Sequence, residues 1–172
     1  LNFPEGHPAR DDYDTFMTES EQGSESLIAP AHTSTMQSRI LSARKEDLER
    51  GIPIAAIVPD RVFRNEDVDA RHEHTFYQVE GVYADKDVNV GNLIATLKTF
   101  LSAYYQKEVE VRVNPFYFPF TEPSAEVDVT CFLCDGKGCN VCKHTGWVEI
   151  LGCGMVDPAV LENCGIDSTK YS

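Results

Sequence analysis

The chain has no apolar run long enough to cross a bilayer, and its first residues carry neither the basic cluster nor the apolar core of a secretory signal. Those two absences favour a cytosolic or similar setting, where thiols stay reduced. Its six cysteines are then expected as free thiols or metal ligands rather than disulfides. Positive charge is scarce: 15 Lys and Arg stand against 28 Asp and Glu, for a net charge of −13. A balance this acidic excludes unaided binding of phosphate backbones, which rewards clustered cations. Any contact with nucleic acid would need a basic partner or a further domain. No internal repeat is visible. What remains is ordinary for a globular domain, 42% apolar and 25% charged, and residues 1–172 read as one domain able to build a core without staples.

Residues 1–26 are polar and loop-like, with an acidic run over 18–26, and residues 27–31 are short and apolar. Ser34 can cap a helix bearing Met36 and Ile40, and 47–50 reads as a further helical turn stopped by Gly51 and Pro53. Strands are expected over 54–58 and 76–84, with a charged strand end and loop over 61–75 between them. The clearest helix is 91–106, where Leu93, Leu97, Phe100, Leu101 and Tyr104 form a stripe expected to pack on a sheet. Strands follow over 109–113, 114–120, 125–130 and 147–151. Strands with helices set among them, rather than strictly alternating, predict an α+β domain: an antiparallel sheet with flanking helices.

Four clusters carry chemistry. In the first, a strand delivers Arg64, a charged loop containing Glu66 and His72 folds over, and the return strand puts Phe76, Gln78, Glu80 and Val82 on one face. A guanidinium fork reads a phosphate or carboxylate, an aromatic face stacks on a base, and a Gln–Glu pair receives an ammonium. A hairpin with a solvated charged tip is the plainer alternative. In the second, His32, Thr33 and Ser34 followed by Gln37 stand at a helix entrance, whose free N–H groups favour anions. A simple Ser34 cap beside a surface histidine fits the same residues.

In the third cluster, aromatics Phe116, Tyr117, Phe118 and Phe120 are interrupted by Pro119 and Pro123 around one carboxylate, Glu122. Proline cannot donate to a strand ladder, so this segment suggests a strand end shaped to hold something flat and apolar. Taken alone, an aromatic strand is more often core than pocket. The fourth is Cys131, Cys134, Cys139 and Cys142, two Cys-x-x-Cys pairs four residues apart, with Gly136 and Gly138 allowing the tight reversal between them. This predicts a four-cysteine zinc knuckle over 131–146, a structural tetrahedral site, with His144 near enough to substitute as a ligand. Cys153 and Cys164 read as buried apolar fillers.

The string from Tyr117 to Val127, together with His32-Thr33-Ser34 and Gln37, Arg64 with Gln78 and Glu80, and Trp147 to Pro158, closely resembles the alpha-subunit family of bacterial phenylalanyl-tRNA synthetases, class II enzymes. The resemblance spans nearly the whole chain. It departs from the family's habits at Met17, Pro30, Thr35, Arg71 and Tyr77. It implies ATP-dependent activation of L-phenylalanine to the adenylate and transfer to tRNA(Phe), in the cytoplasm, by an assembly of two alpha and two beta subunits. By that resemblance Arg64 binds the ATP alpha-phosphate and the amino-acid carboxylate, while Glu66, His72 and Phe76 contact ATP. Gln78 and Glu80 take the substrate ammonium, and His32, Ser34 and Gln37 grip phenylalanine. Phe118 and Phe120 wall its ring, and Glu122 holds Mg²⁺ at the border with the beta subunit. The cysteine cluster implies a structural Zn²⁺ away from chemistry. The family continues beyond Ser172 into a glycine-rich strand and helix with a further arginine, so the 172-residue chain alone is expected to be inactive. Two other readings stay open: a zinc-binding assembly module, and a synthetase-like paralogue that senses an amino acid.

Overall fold

The computed structural model describes residues 6–7, 15–17, 27–65, 67–68 and 73–172. They fall into two compact units, one formed by residues 1–85 and 159–171, the other by 86–158.

In the first unit, residues 27–31 are laced into place by backbone bonds. Met17 and Ile28 form an isolated bridge, Ala29 N–H donates to Phe16 C=O, and Phe63 N–H donates to Pro30 C=O. A 3-10 turn, Thr33–Met36, leads directly into helix α1, Gln37–Glu49. The helix is therefore one element rather than the two pieces expected, because nothing between Ile40 and Asp47 breaks it. Gly51, at φ +76°, ends it. Strands β1, Ile54–Phe63, and β2, Thr75–Ala84, pair antiparallel over their full lengths, from Ile54 opposite Ala84 to Phe63 opposite Thr75. β1 runs five residues further than its apolar start suggests, because the β2 ladder carries it through the charged Asp60-Arg61. The chain returns through α3, Pro158–Asn163, unforeseen from sequence. Leu41, Leu48, Ile54, Val62, Val82, Ala84, Val160, Leu161 and Ile166 supply the unit's buried apolar side chains, with Cys164 among them as expected.

In the second unit, helix α2, Val90–Tyr105, opens with a capping box in which Asn89 Oδ1 accepts from the N–H groups of Gly91 and Asn92, and Asn92 Oδ1 accepts from Asn89 N–H. It packs by Leu97, Leu101 and Tyr105 onto a sheet whose core residues are Val127 and Val129. The expected stripe is thus rotated. Phe100 and Tyr104 are exposed and stack on each other at 5.8 Å, because one turn apart they can pair along the helix flank while Tyr105 takes the core place.

The sheet has the order β3-β4-β5, formed by Val111–Phe118, Thr121–Thr130 and Trp147–Val156, all antiparallel. The described residues therefore hold two antiparallel sheets where one was expected. β3 is a single strand through Pro115, which an edge strand accommodates. Pro123 lies inside the central strand β4, whose register with β5 shifts between Thr121 and Ser124. The bulge removes Glu122 and Pro123 from the ladder, so the missing proline N–H costs no hydrogen bond. Asp128 is buried, with Oδ2 accepting from Arg112 Nε at 2.9 Å and Asn114 Nδ2 at 2.7 Å, while the Arg112 guanidinium lies 4.7 Å from the Trp147 ring centre. Among the described residues no helix is long and apolar enough to cross a membrane.

Candidate functional site

The alternation of β2 turns Phe76, Gln78, Glu80 and Val82 to its shielded face, as the sequence predicts, and Tyr77, Val79 and Tyr83 outward. That face meets the helix entrance of the same unit. Gln78 Oε1 accepts from the Thr33 backbone N–H at 3.0 Å and from the Thr33 hydroxyl at 3.2 Å. The Glu80 carboxylate accepts from the Thr33 hydroxyl at 3.3 Å and from the Ser34 hydroxyl in a short bond. Residues 45 or more positions apart are so joined into one polar cluster, with Thr33 and Ser34 almost fully buried. The hub is Thr33. The sequence places Thr33 in this cluster but gives it no role, because its partners lie on a strand 45 residues away.

The backbone N–H of Thr33 is a fixed donor, so it settles which end of the Gln78 amide faces it. The Gln78 nitrogen then lies 3.0 Å from His32 Nε2. His32 Nδ1 accepts from Ser34 N–H at 3.1 Å and lies 3.6 Å from the Glu80 carboxylate. His32 and Gln78 are thus hydrogen-bonded to each other, in a direction set by the imidazole tautomer. Buried nearby in sequence, Gln37 Oε1 has no hydrogen-bond partner among the described residues, an acceptor that a ligand N–H could use. Here His32, Ser34, Gln78 and Glu80 supply imidazole, hydroxyl, amide and carboxylate at one place, a mixture chemically able to hold an ammonium or a carboxylate.

Arg64 lies just past β1. Its Nε donates to the Ala31 carbonyl at 3.1 Å, and its guanidinium covers the Phe76 ring at 5.1 Å. The strand arginine and the aromatic of the return strand are therefore in contact. Glu66 and His72 lie outside the described residues.

In the second unit Phe118 and Phe120 are half-buried and stack at 5.8 Å, with Phe116 5.1 Å from Phe118. They form a continuous aromatic row where β3 turns into β4, and not a buried core. Glu122 is exposed, lifted out of the ladder by the bulge. Glu126 of β4 sits opposite Gly152, and burial, then the charges of Glu149 and Asp128, raise its pKa above the ordinary 4.5. A carboxyl raised by folding opposes folding above its folded pKa, and that penalty fades as pH falls toward the unfolded value. Glu126→Gln is therefore expected to raise the melting temperature modestly at pH 7, with the gain vanishing near pH 4.5 in a pH series of thermal melts.

The four cysteines converge as their spacing predicts. Their Sγ atoms all lie within 4.8 Å of one another, with edges of 3.9 Å for Cys131–Cys139, 3.9 Å for Cys134–Cys142 and 3.8 Å for Cys139–Cys142. A tetrahedron with Zn–S near 2.3 Å has edges of about 3.8 Å. Backbone N–H groups point at the sulfurs, Gly138 N–H at Cys134 and Cys139 N–H at Cys142. Burial raises the Cys142 thiol, but the N–H groups of Cys139 and Gly146 and the neighbouring thiols bring it down to about 6, while burial and a bond to Cys131 push Cys134 to about 11. The cage thus lowers one thiol and raises another. His144 is exposed and stands outside the tetrad, its backbone N–H donating to Cys139 C=O.

Antiparallel sheets with flanking helices, an arginine beside an aromatic at the end of paired strands, and a polar cluster at a helix entrance agree with the core of a class II synthetase. The chain belongs to the class II tRNA synthetase family: the model of the tRNA synthetases class II core domain (F) matches residues 1–172. It is similar over 172 residues, all of its length, to the phenylalanine–tRNA ligase alpha subunit of Chloroherpeton thalassium, at 52% identity and 49% of that protein's length. The alpha subunit of Porphyromonas gingivalis matches at 52% identity over 48% of its length, and that of Prosthecochloris aestuarii at 49% over 49%. The chain spans about half the length of these relatives.

Proposed function

We propose that the chain forms part of the catalytic core of an ATP-dependent phenylalanine–tRNA ligase. The observation that carries this reading is the joining of Gln78 and Glu80 to Thr33 and Ser34 across more than forty residues of sequence. A half-buried carboxylate with an amide beside it is what an α-ammonium group requires, and mere scaffolding would not need it.

In the proposed reaction a carboxylate oxygen of phenylalanine attacks the alpha-phosphorus of ATP, and pyrophosphate leaves. A terminal tRNA(Phe) ribose hydroxyl then attacks the acyl carbon, and AMP leaves. No side-chain nucleophile is needed, so the residues act by holding and by offsetting charge. Gln78 and Glu80 hold the ammonium, and His32, Ser34 and Gln37 fix the amino acid beside them. Arg64, kept in place by the Ala31 carbonyl and the Phe76 face, offsets negative charge on the alpha-phosphate and the substrate carboxylate. Phe76, Glu66 and His72 contact ATP, with Phe76 stacking on the base. Phe118 and Phe120 wall the phenyl ring, excluding tyrosine by denying its hydroxyl a partner.

Mg²⁺ suits Glu122, an exposed carboxylate out of the ladder, since magnesium takes few carboxylates and keeps water. It would neutralise phosphate charge. Zn²⁺ suits the four thiols, whose edges match a tetrahedral site, and its part is structural. A beta subunit and tRNA(Phe) are the proposed partners, and the acidic surface of this chain agrees with tRNA being gripped by other parts of the assembly. Titration of the complete ligase with a non-hydrolysable phenylalanyl-adenylate analogue tests the reading. Saturable binding at one site per alpha chain is expected, and no binding by the folded assembly would refute it, favouring an assembly module.

A further inference from the structure

We infer that Gly152 is a specificity-determining position, which seats the Phe118 ring and thereby fixes the depth of the aromatic wall. This role rests on the amino-acid pocket proposed above. On β5, Cys153 packs toward the core with Val127 and Val129, so its neighbours Gly152 and Gly154 turn to the opposite face. Neither glycine has a positive φ, so backbone freedom is not the reason for glycine at either position. The reason is space. A Cβ on Gly152 would stand 2.6 Å from Phe118 Cζ and 2.8 Å from its Cε2. A Cβ on Gly154 would stand 2.5 Å from Thr121 Cβ and 2.6 Å from the Pro123 carbonyl oxygen. The difference between the two matters: Gly154 is hemmed by backbone, whereas Gly152 is covered by the far end of one side chain.

Phe118 has little freedom to give way sideways. Its backbone N–H donates to the Ser124 hydroxyl at 3.2 Å, and its ring is flanked by Phe116 at 5.1 Å and Phe120 at 5.8 Å. A methyl group at position 152 therefore drives the ring off the sheet, into the space that its outer face borders. Bringing 2.6 Å to ordinary van der Waals contact takes a displacement of about 0.8 Å, enough to cost a tightly walled aryl group much of its fit.

The test is a double-mutant cycle on the complete ligase, read by pyrophosphate exchange with phenylalanine and with 4-methylphenylalanine. Gly152→Ala is expected to lower kcat/KM for phenylalanine about 10- to 100-fold through KM, more for the para-methyl analogue, with KM for ATP unchanged. In a Phe118→Leu background the same substitution is expected to cost no more than about twofold, because the ring it strikes is gone. Phe118→Leu alone is expected to shift preference toward 4-methylphenylalanine, and this arm holds even if Gly152→Ala fails to fold. Equal losses in both backgrounds, no loss at all, or an unshifted preference in Phe118→Leu would overturn the inference while leaving the proposed ligase intact. A wild-type enzyme that does not activate phenylalanine would instead overturn the ligase reading, and this role with it.

Discussion

Replacing Cys142 by serine is expected to strip bound metal from the knuckle and to lower the melting temperature by on the order of 10 °C. Metal content by atomic emission should fall from one zinc per chain to a small fraction of that. Several features make the effect large. Cys131 and Cys142 are buried, so a serine leaves a hydroxyl where a sulfur was enclosed. The loop also holds Asp135, Lys143 and His144 at positive φ, beside Gly136, Gly138 and Gly146. Non-glycine residues in that region persist only where the surroundings hold them, and here the tetrad adds to backbone bonds such as His144 N–H to Cys139 C=O and Cys131 N–H to Gly146 C=O. Gly146 packs so close to Gly136 that a Cβ there would overlap the Gly136 carbonyl oxygen. Because thiolates are the ligands, metal affinity should also fall as pH is lowered. Cys153→Ala, on β5 and outside the tetrad, is the control and should keep its zinc. Full metal retention in Cys142→Ser would refute a four-thiolate site.

Glu80→Ala is expected to reduce phenylalanine activation at least about 100-fold, mainly through KM for the amino acid, with KM for ATP little changed. A charge-assisted bond to an ammonium contributes roughly 1.5–3 kcal/mol, and each buried hydroxyl left unpaired costs about 1–3 kcal/mol. Both losses fall here, since the Ser34 hydroxyl donates to the carboxylate that is removed, while the Thr33 hydroxyl keeps Gln78 Oε1 as an acceptor. Glu80→Gln keeps an acceptor for those hydroxyls but no charge for the ammonium. It should fold as the wild type does and still lose most of the affinity. Steady-state pyrophosphate exchange and a thermal melt of each variant separate the two contributions. An unchanged KM in Glu80→Gln would mean that the carboxylate serves the fold alone.

How far the sequence carried depends on the range over which each feature is decided. Period-two alternation put Gln78 and Glu80 on one face of β2, and the pair spacing of the cysteines closed the tetrad, because both are decided within a few residues. Thr33 had no role assigned, since its hydroxyl is given meaning by a strand 45 residues away. The stripe of α2 reads with Phe100 and Tyr104 on the packed face, and only the β3-β4-β5 sheet decides for Tyr105 instead. Of the two prolines read as interruptions, Pro119 does fall between β3 and β4, whereas Pro123 lies inside β4, where a bulge tolerates it. Likewise Asp128, an apparent outward residue of an alternating strand, is buried beside Arg112 and Asn114. Gly152 had no local signal at all, because its reason is the ring of Phe118 on a different strand.

The most direct measurement is amino-acid-dependent pyrophosphate exchange by the complete ligase, comparing phenylalanine with tyrosine. Exchange that depends on phenylalanine, is about 100-fold or more weaker with tyrosine in kcat/KM, and is abolished by Gln78→Ala with Glu80→Ala is the predicted result. Exchange that is absent with phenylalanine, or that survives the double substitution, would contradict the account.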